Sequence, residues 1–104
     1  MSRATRREKA EGELAHLEAR FRERLVAALN SCRDGRWGLF GQRSVPADVT
    51  VLLALGDEID ALRSSLGFSG GNALYARLKS YRSLRVQSAP GEPRLARQFL
   101  GELD

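Results

Sequence analysis

The chain holds one cysteine, Cys32, and one histidine, His16, so a thiol–imidazole pair is the first chemistry to consider. Activating a thiol nucleophile needs the two groups within hydrogen-bonding reach. Both fall on what reads as a single helix, where their separation corresponds to ~24 Å along the axis. The pair cannot form there. Cys32 sits on an apolar stripe and is expected in the core as a small hydrophobe, while His16 sits beside the stripe and is expected in solvent. Asp57, Glu58 and Asp60 are the only close carboxylate group. Asp57 and Asp60 stand three apart and share a helix face, which suits a hard cation or divided acid and base roles. No His is near them and no ligand-loop spacing surrounds them, so a solvated acidic face is expected. Gly35, Gly38 and Gly41, and Gly70-Gly71 before a helix start, have the glycine richness of phosphate-cradling loops. Neither group follows a strand or matches a dinucleotide or P-loop spacing, and turn formation accounts for them. No catalytic, cofactor-binding or metal-binding set emerges, and neither an enzyme activity nor a cofactor is expected.

The stretch Gly35-Arg36-Trp37-Gly38-Leu39-Phe40-Gly41 is unusual in another way. It places the only Trp and one of four Phe residues among three glycines, between two helical segments. One arrangement is a plug, with the loop folded back so that its rings cover the end of the bundle. The other is a contact surface in which Arg36, Trp37, Leu39 and Phe40 meet a protein partner. The plug is the favoured expectation, because exposed apolar clusters are a liability unless used.

Charge is segregated along the chain. Residues 44–71 carry Asp48, Asp57, Glu58 and Asp60 against Arg63, a net −3. Residues 72–97 carry Arg77, Lys79, Arg82, Arg85, Arg94 and Arg97 against Glu92, a net +5. Over Asp57–Arg85, Leu62, Leu66, Gly67, Phe68 and Ser69 resemble the first-helix end and turn of a helix-turn-helix. That resemblance implies a recognition helix with Tyr75, Arg77, Lys79 and Arg82 facing phosphates or bases. Arg63 departs from the pattern, standing where the helix crossing wants a small residue. Leu74 and Leu78 fall one position late. The competing expectation is that the basic helix offsets the acidic one within the same domain.

These residues need elements to position them, and the apolar spacing supplies four helices. The first carries Leu14, Leu17, Phe21, Leu25, Ala28, Leu29 and Cys32 at steps of three and four, with Glu18 and Arg22 as an i,i+4 pair, and it ends at Gly35. Begun near residue 6 it would run ~40 Å, against a radius of gyration of ~13 Å for a compact domain of this size. Its start should therefore project or pack on another chain. Residues 1–12 are a basic lead-in, either frayed helix or disorder, and residues 13–104 one helical domain. The second helix opens at Pro46, capped by Ser44 or Val45, and carries Leu52, Leu55, Ile59, Leu62 and Leu66 before Gly67. Its stripe keeps phase across Gly56, so one continuous helix is expected. Asn72 caps the third helix, with Leu74, Leu78, Tyr81 and Leu84 inward. Gln87–Pro93 reads as a loop, and a short last helix carries Leu95, Phe99, Leu100 and Leu103. The fold class is all-α: a small bundle of about four helices.

A chain of 104 residues makes one domain with a modest core. The net charge of +4 is mild, and a basic balance raises the expectation of an anionic partner. The lone cysteine, the polar start and the short apolar runs point to a cytoplasmic protein without membrane contact. Two function classes follow. One is a non-enzymatic protein–protein interaction or oligomerisation module, expected as a homodimer. The other is a small DNA- or RNA-binding protein that uses the basic helix 72–85 with Arg94 and Arg97.

Overall fold

The computed structural model describes residues 2–35, 39–40, 47–83 and 91–103. They form four helices, α1 (Arg3–Arg33), α2 (Ala47–Ser65), α3 (Ala73–Ser83) and α4 (Gly91–Leu103), with no strand among the described residues. The expected all-α bundle of four helices is what the chain adopts.

Helix α1 starts at Ser2, whose side chain accepts from the Thr5 amide at 3.3 Å. The lead-in is thus helical from Arg3. Arg7 and Glu11 form an exposed i,i+4 pair at 2.9 Å, a contribution of roughly 0.3–0.5 kcal/mol. The first buried residue is Leu14, and from there Phe21, Leu25, Ala28, Leu29 and Cys32 line the inner face. The 31 residues of α1 correspond to ~46 Å. Its first three turns outrun the apolar stripe, and the molecule is accordingly elongated, 53 × 23 × 21 Å, with a radius of gyration of 15.4 Å. Glu18 does not pair with Arg22; it turns to Asn72 and Arg63 instead.

Helices α2 and α4 pack along α1. Helix α2 runs unbroken through Gly56. A Cβ at that position would stand 2.5 Å from Cγ of Tyr75, so the glycine admits a ring against the helix backbone. Gly67 ends α2 with φ +82°. Its amide bonds Ser64 O and the Phe68 amide bonds Arg63 O, both at 3.0 Å. This is the paired carbonyl capping that favours glycine at the left-handed position. The leucine stripe of α2 is used inside the chain. Leu52, Leu55 and Ile59 are buried, and Leu62 and Leu66 pack on the core from its margin.

Helix α3 buries Tyr75, Leu78 and Tyr81, with Leu74 only half-buried. The expected inward set is thus rotated toward Tyr75; Leu84 lies outside the described residues. The start of α4 corrects the expected loop over Gln87–Pro93, since Gly91, Glu92 and Pro93 are helical. Proline lacks an N–H that a first turn would leave unbonded in any case, so Pro93 starts a helix without losing a bond. Ser44, Val45 and Pro46, expected to open α2, lie outside the described residues.

Among the described residues, ring contacts hold the core. Phe21 meets Tyr75 edge-on at 5.8 Å, Phe40 meets Tyr81 at 5.7 Å, and Tyr81 stacks on Phe99 at 4.7 Å. Such pairs add ~0.5–1.5 kcal/mol each beyond the apolar area they bury.

Candidate functional site

Around Asn72, the one buried polar residue among those described, hydrogen bonds join three helices. Its side-chain oxygen accepts from the Tyr75 amide at 2.9 Å, which caps α3. Its amide group donates to Glu18 Oε2 at 2.5 Å, reaching α1. Its backbone N–H donates to Asp60 Oδ1 at 2.7 Å, reaching α2. Arg63 lies 3.6 Å from the same Glu18 oxygen, donates to Gly70 O at 3.3 Å, and sits over the Phe68 ring at 5.3 Å. Arg63, which broke the helix-turn-helix pattern, therefore stitches the α2–α3 turn to α1.

The carboxylate group is explained by the same contacts. Asp60 holds the Asn72 amide, and Asp57 accepts from the Tyr75 hydroxyl at 2.6 Å. Burial, and then that hydrogen bond, push the Tyr75 phenol up to about 12. Glu58 is exposed. No group of three or more His, Cys, Asp or Glu side chains that could hold a metal ion occurs among the described residues. Cys32 is fully buried on α1 and His16 is exposed on the same helix, so the two are not brought together.

Of the aromatic loop, Leu39 and Phe40 are fully buried members of the core, and Arg82 donates from Nη1 to the Leu39 carbonyl. Arg36 and Trp37 lie outside the described residues.

The basic third helix is organised differently from its sequence expectation. Tyr75, placed among its outward contact groups, is buried. Arg82 is half-buried on the Leu39 carbonyl. Lys79 sits over the Tyr75 ring at 4.4 Å. Arg77 pairs with Glu102 of α4 at 2.9 Å. Among the described residues no ion pair joins α3 to the carboxylates of α2, so the expected offset of one helix by the other takes the form of the Tyr75 and Asn72 hydrogen bonds. Arg94 and Arg97 are exposed on α4, and Arg85 lies outside the described residues. The outward face of α3 between its cations is small and neutral: Ala73, Ala76, Ser80 and Ser83, all exposed.

That face forms one wall of an open groove of about 620 Å³ between α3 and α4, lined by Ala73, Ala76, Arg77, Ser80, Tyr81, Gln98 and Glu102. At its rim Glu102 Oε2 accepts from both Arg77 and the Tyr81 hydroxyl, each at 2.9 Å. These two bonds, Tyr81 first, hold the Glu102 carboxyl below its ordinary value. Burial, and then the bond to Glu102, push the Tyr81 phenol up. Sequence reasoning missed Glu102, Gln98 and Ser80. The spacing of Ala73, Ala76, Ser80 and Ser83 by three and four residues was a legible signal of a smooth helix face, but nothing local ties Glu102 to Arg77.

Comparison of the chain with protein-family models, with curated proteins and with solved structures gives no match. No helix among the described residues is long and apolar enough to cross a membrane.

Proposed function

We propose that this chain is a non-enzymatic helical contact module whose partner is a protein, a second copy of itself in the first place. The observation that carries this reading is the α3–α4 groove. Its α3 wall is a seam of small side chains, Ala73, Ala76 and Ser80. Small residues at a contact let two helices approach toward the short end of the ~8–10 Å range of interaxial distances. The rim carries opposite charges, Arg77 and Glu102. A two-fold contact sets the same patch against itself, so each copy's arginine can face the other's carboxylate. Tyr81 and Arg77 are residue types over-represented among energetic anchors of interfaces.

Size-exclusion chromatography with light scattering, run up to tens of micromolar, tests this. The expected mass is that of two chains, and Ala76→Arg, which fills the groove from an exposed position, should return it to one chain with an unchanged helical spectrum. A wild-type mass of one chain at every concentration overturns the self-association.

A second reading, contact with nucleic acid, is favoured by exposed cations whose side chains have no hydrogen bond or ion pair with a described residue. Those cations are on α1 and α4 rather than α3.

A further inference from the structure

Helix α1 carries four cations on one line: Arg6, Lys9, Arg20 and Arg24. At 100° per residue they fall within a sector of about 60°, and they span ~27 Å of helix. All four are exposed, and none of their side chains has a hydrogen bond or ion pair with a described residue. Glu13 is the one carboxylate within that sector, and His16 stands at its edge. The Arg20 and Arg24 end of the line is held in place by the adjoining buried side of the same helix. Phe21 and Leu25 are fully buried, which fixes the rotation of α1 and keeps Arg20 and Arg24 pointed outward. On α3, by contrast, each described base is engaged within the chain.

We propose that this side of α1 is a docking strip for the phosphate backbone of a duplex nucleic acid. The strip is a different surface from the α3–α4 groove and does not depend on self-association. Its composition selects the partner. The core of a protein interface is depleted in charge and enriched in aromatic side chains, and no large apolar side chain is exposed along this line. A helix lying on a membrane needs an apolar face to sink into the headgroup region, and residues 3–13 have none. Single strands are held by stacking their bases on aromatic rings, which the line also lacks. A row of cations along one side of α1, with nothing but charge to offer, matches the regular phosphates of a duplex. Arginine, three of the four, makes bidentate bonds to phosphate. Contact of this kind positions a protein without reading sequence.

Fluorescence anisotropy with a labelled duplex DNA and a duplex RNA of equal length tests the strip. Four phosphate contacts give a log–log salt slope of about −3.6, so wild-type affinity should fall about 150-fold between 50 and 200 mM salt. Replacing Arg6, Lys9, Arg20 and Arg24 together by Gln should remove both the binding at low salt and the slope, with the helical spectrum unchanged. Replacing Arg94 and Arg97 by Gln should alter neither. The two duplexes should bind within a few-fold of each other. The proposal is overturned if wild type binds neither duplex at low salt. It is overturned equally if the α1 variant still binds, if the loss follows Arg94→Gln with Arg97→Gln instead, or if one duplex is preferred more than tenfold.

Discussion

The two ends of α3 are fastened by different means. At its start, Asn72 and Tyr75 tie the helix to Glu18, Asp57 and Asp60 through directed hydrogen bonds. At its end, Tyr81 lies between Phe40 and Phe99, and the rings carry the attachment. Hydrogen bonds fix where a helix begins and how it is turned, but they contribute modestly because water competes for the same groups. Ring burial is insensitive to small rotations and contributes more. One end of α3 is therefore accurately placed and the other strongly held. Arg77 and Glu102 join the strong end but are exposed on the groove rim, where an ion pair adds little.

Removing a ring from the strong end should have the largest effect. Phe99→Ala empties a fully buried site against Tyr81 and should cost ~3–5 kcal/mol, read as a lower denaturant midpoint. An effect near 1 kcal/mol or less would show that the stack is not what holds α3. Asn72→Ala should be milder, ~1–2 kcal/mol, since it removes the cap of α3 and the donor to Glu18. If it matched Phe99→Ala, the distinction between the two ends would fail. Tyr75→Phe sharpens the comparison further. It removes one hydroxyl bond to Asp57 and should cost ~0.5–1.5 kcal/mol at neutral pH. Its pH dependence has a definite sign. The folded chain raises the phenol from 10.0 to about 12, so the fold favours the neutral form. That contribution is fully present below pH 10 and is lost as pH rises from there through about 12. Wild type should shed this share of stability over that window and Tyr75→Phe should not, as followed by denaturation at alkaline pH.

The helices were legible because each relies on local signals. The Leu14–Cys32 stripe, the continuous phase across Gly56, the end at Gly67 and the Asn72 cap all reappear in the structure. What was hidden depends on partners distant in sequence. Tyr75 reads as an outward contact group until Gly56 is seen to make room for its ring. Arg63 reads as a misfit in a binding motif until Glu18, far along the chain, comes within 3.6 Å. The Glu18–Arg22 pair has good helical spacing, yet Glu18 found a better donor in Asn72. The α3 bases failed as a readable stripe for the same reason, since their partners are Glu102, the Tyr75 ring and the Leu39 carbonyl. The spacing of the α1 cations is written in the sequence, but which of their side chains lack a partner among the described residues is not.

The first three turns of α1 add length without adding core, and this separates two kinds of stability in one helix. Amide hydrogens before Leu14 are protected only by the local helix–coil balance, which for a short polar segment is close to even. Those between Phe21 and Leu29 are released only when the whole body opens. Helical signal lost on gentle warming would then report the unwinding of these turns, while the domain beneath them is still intact.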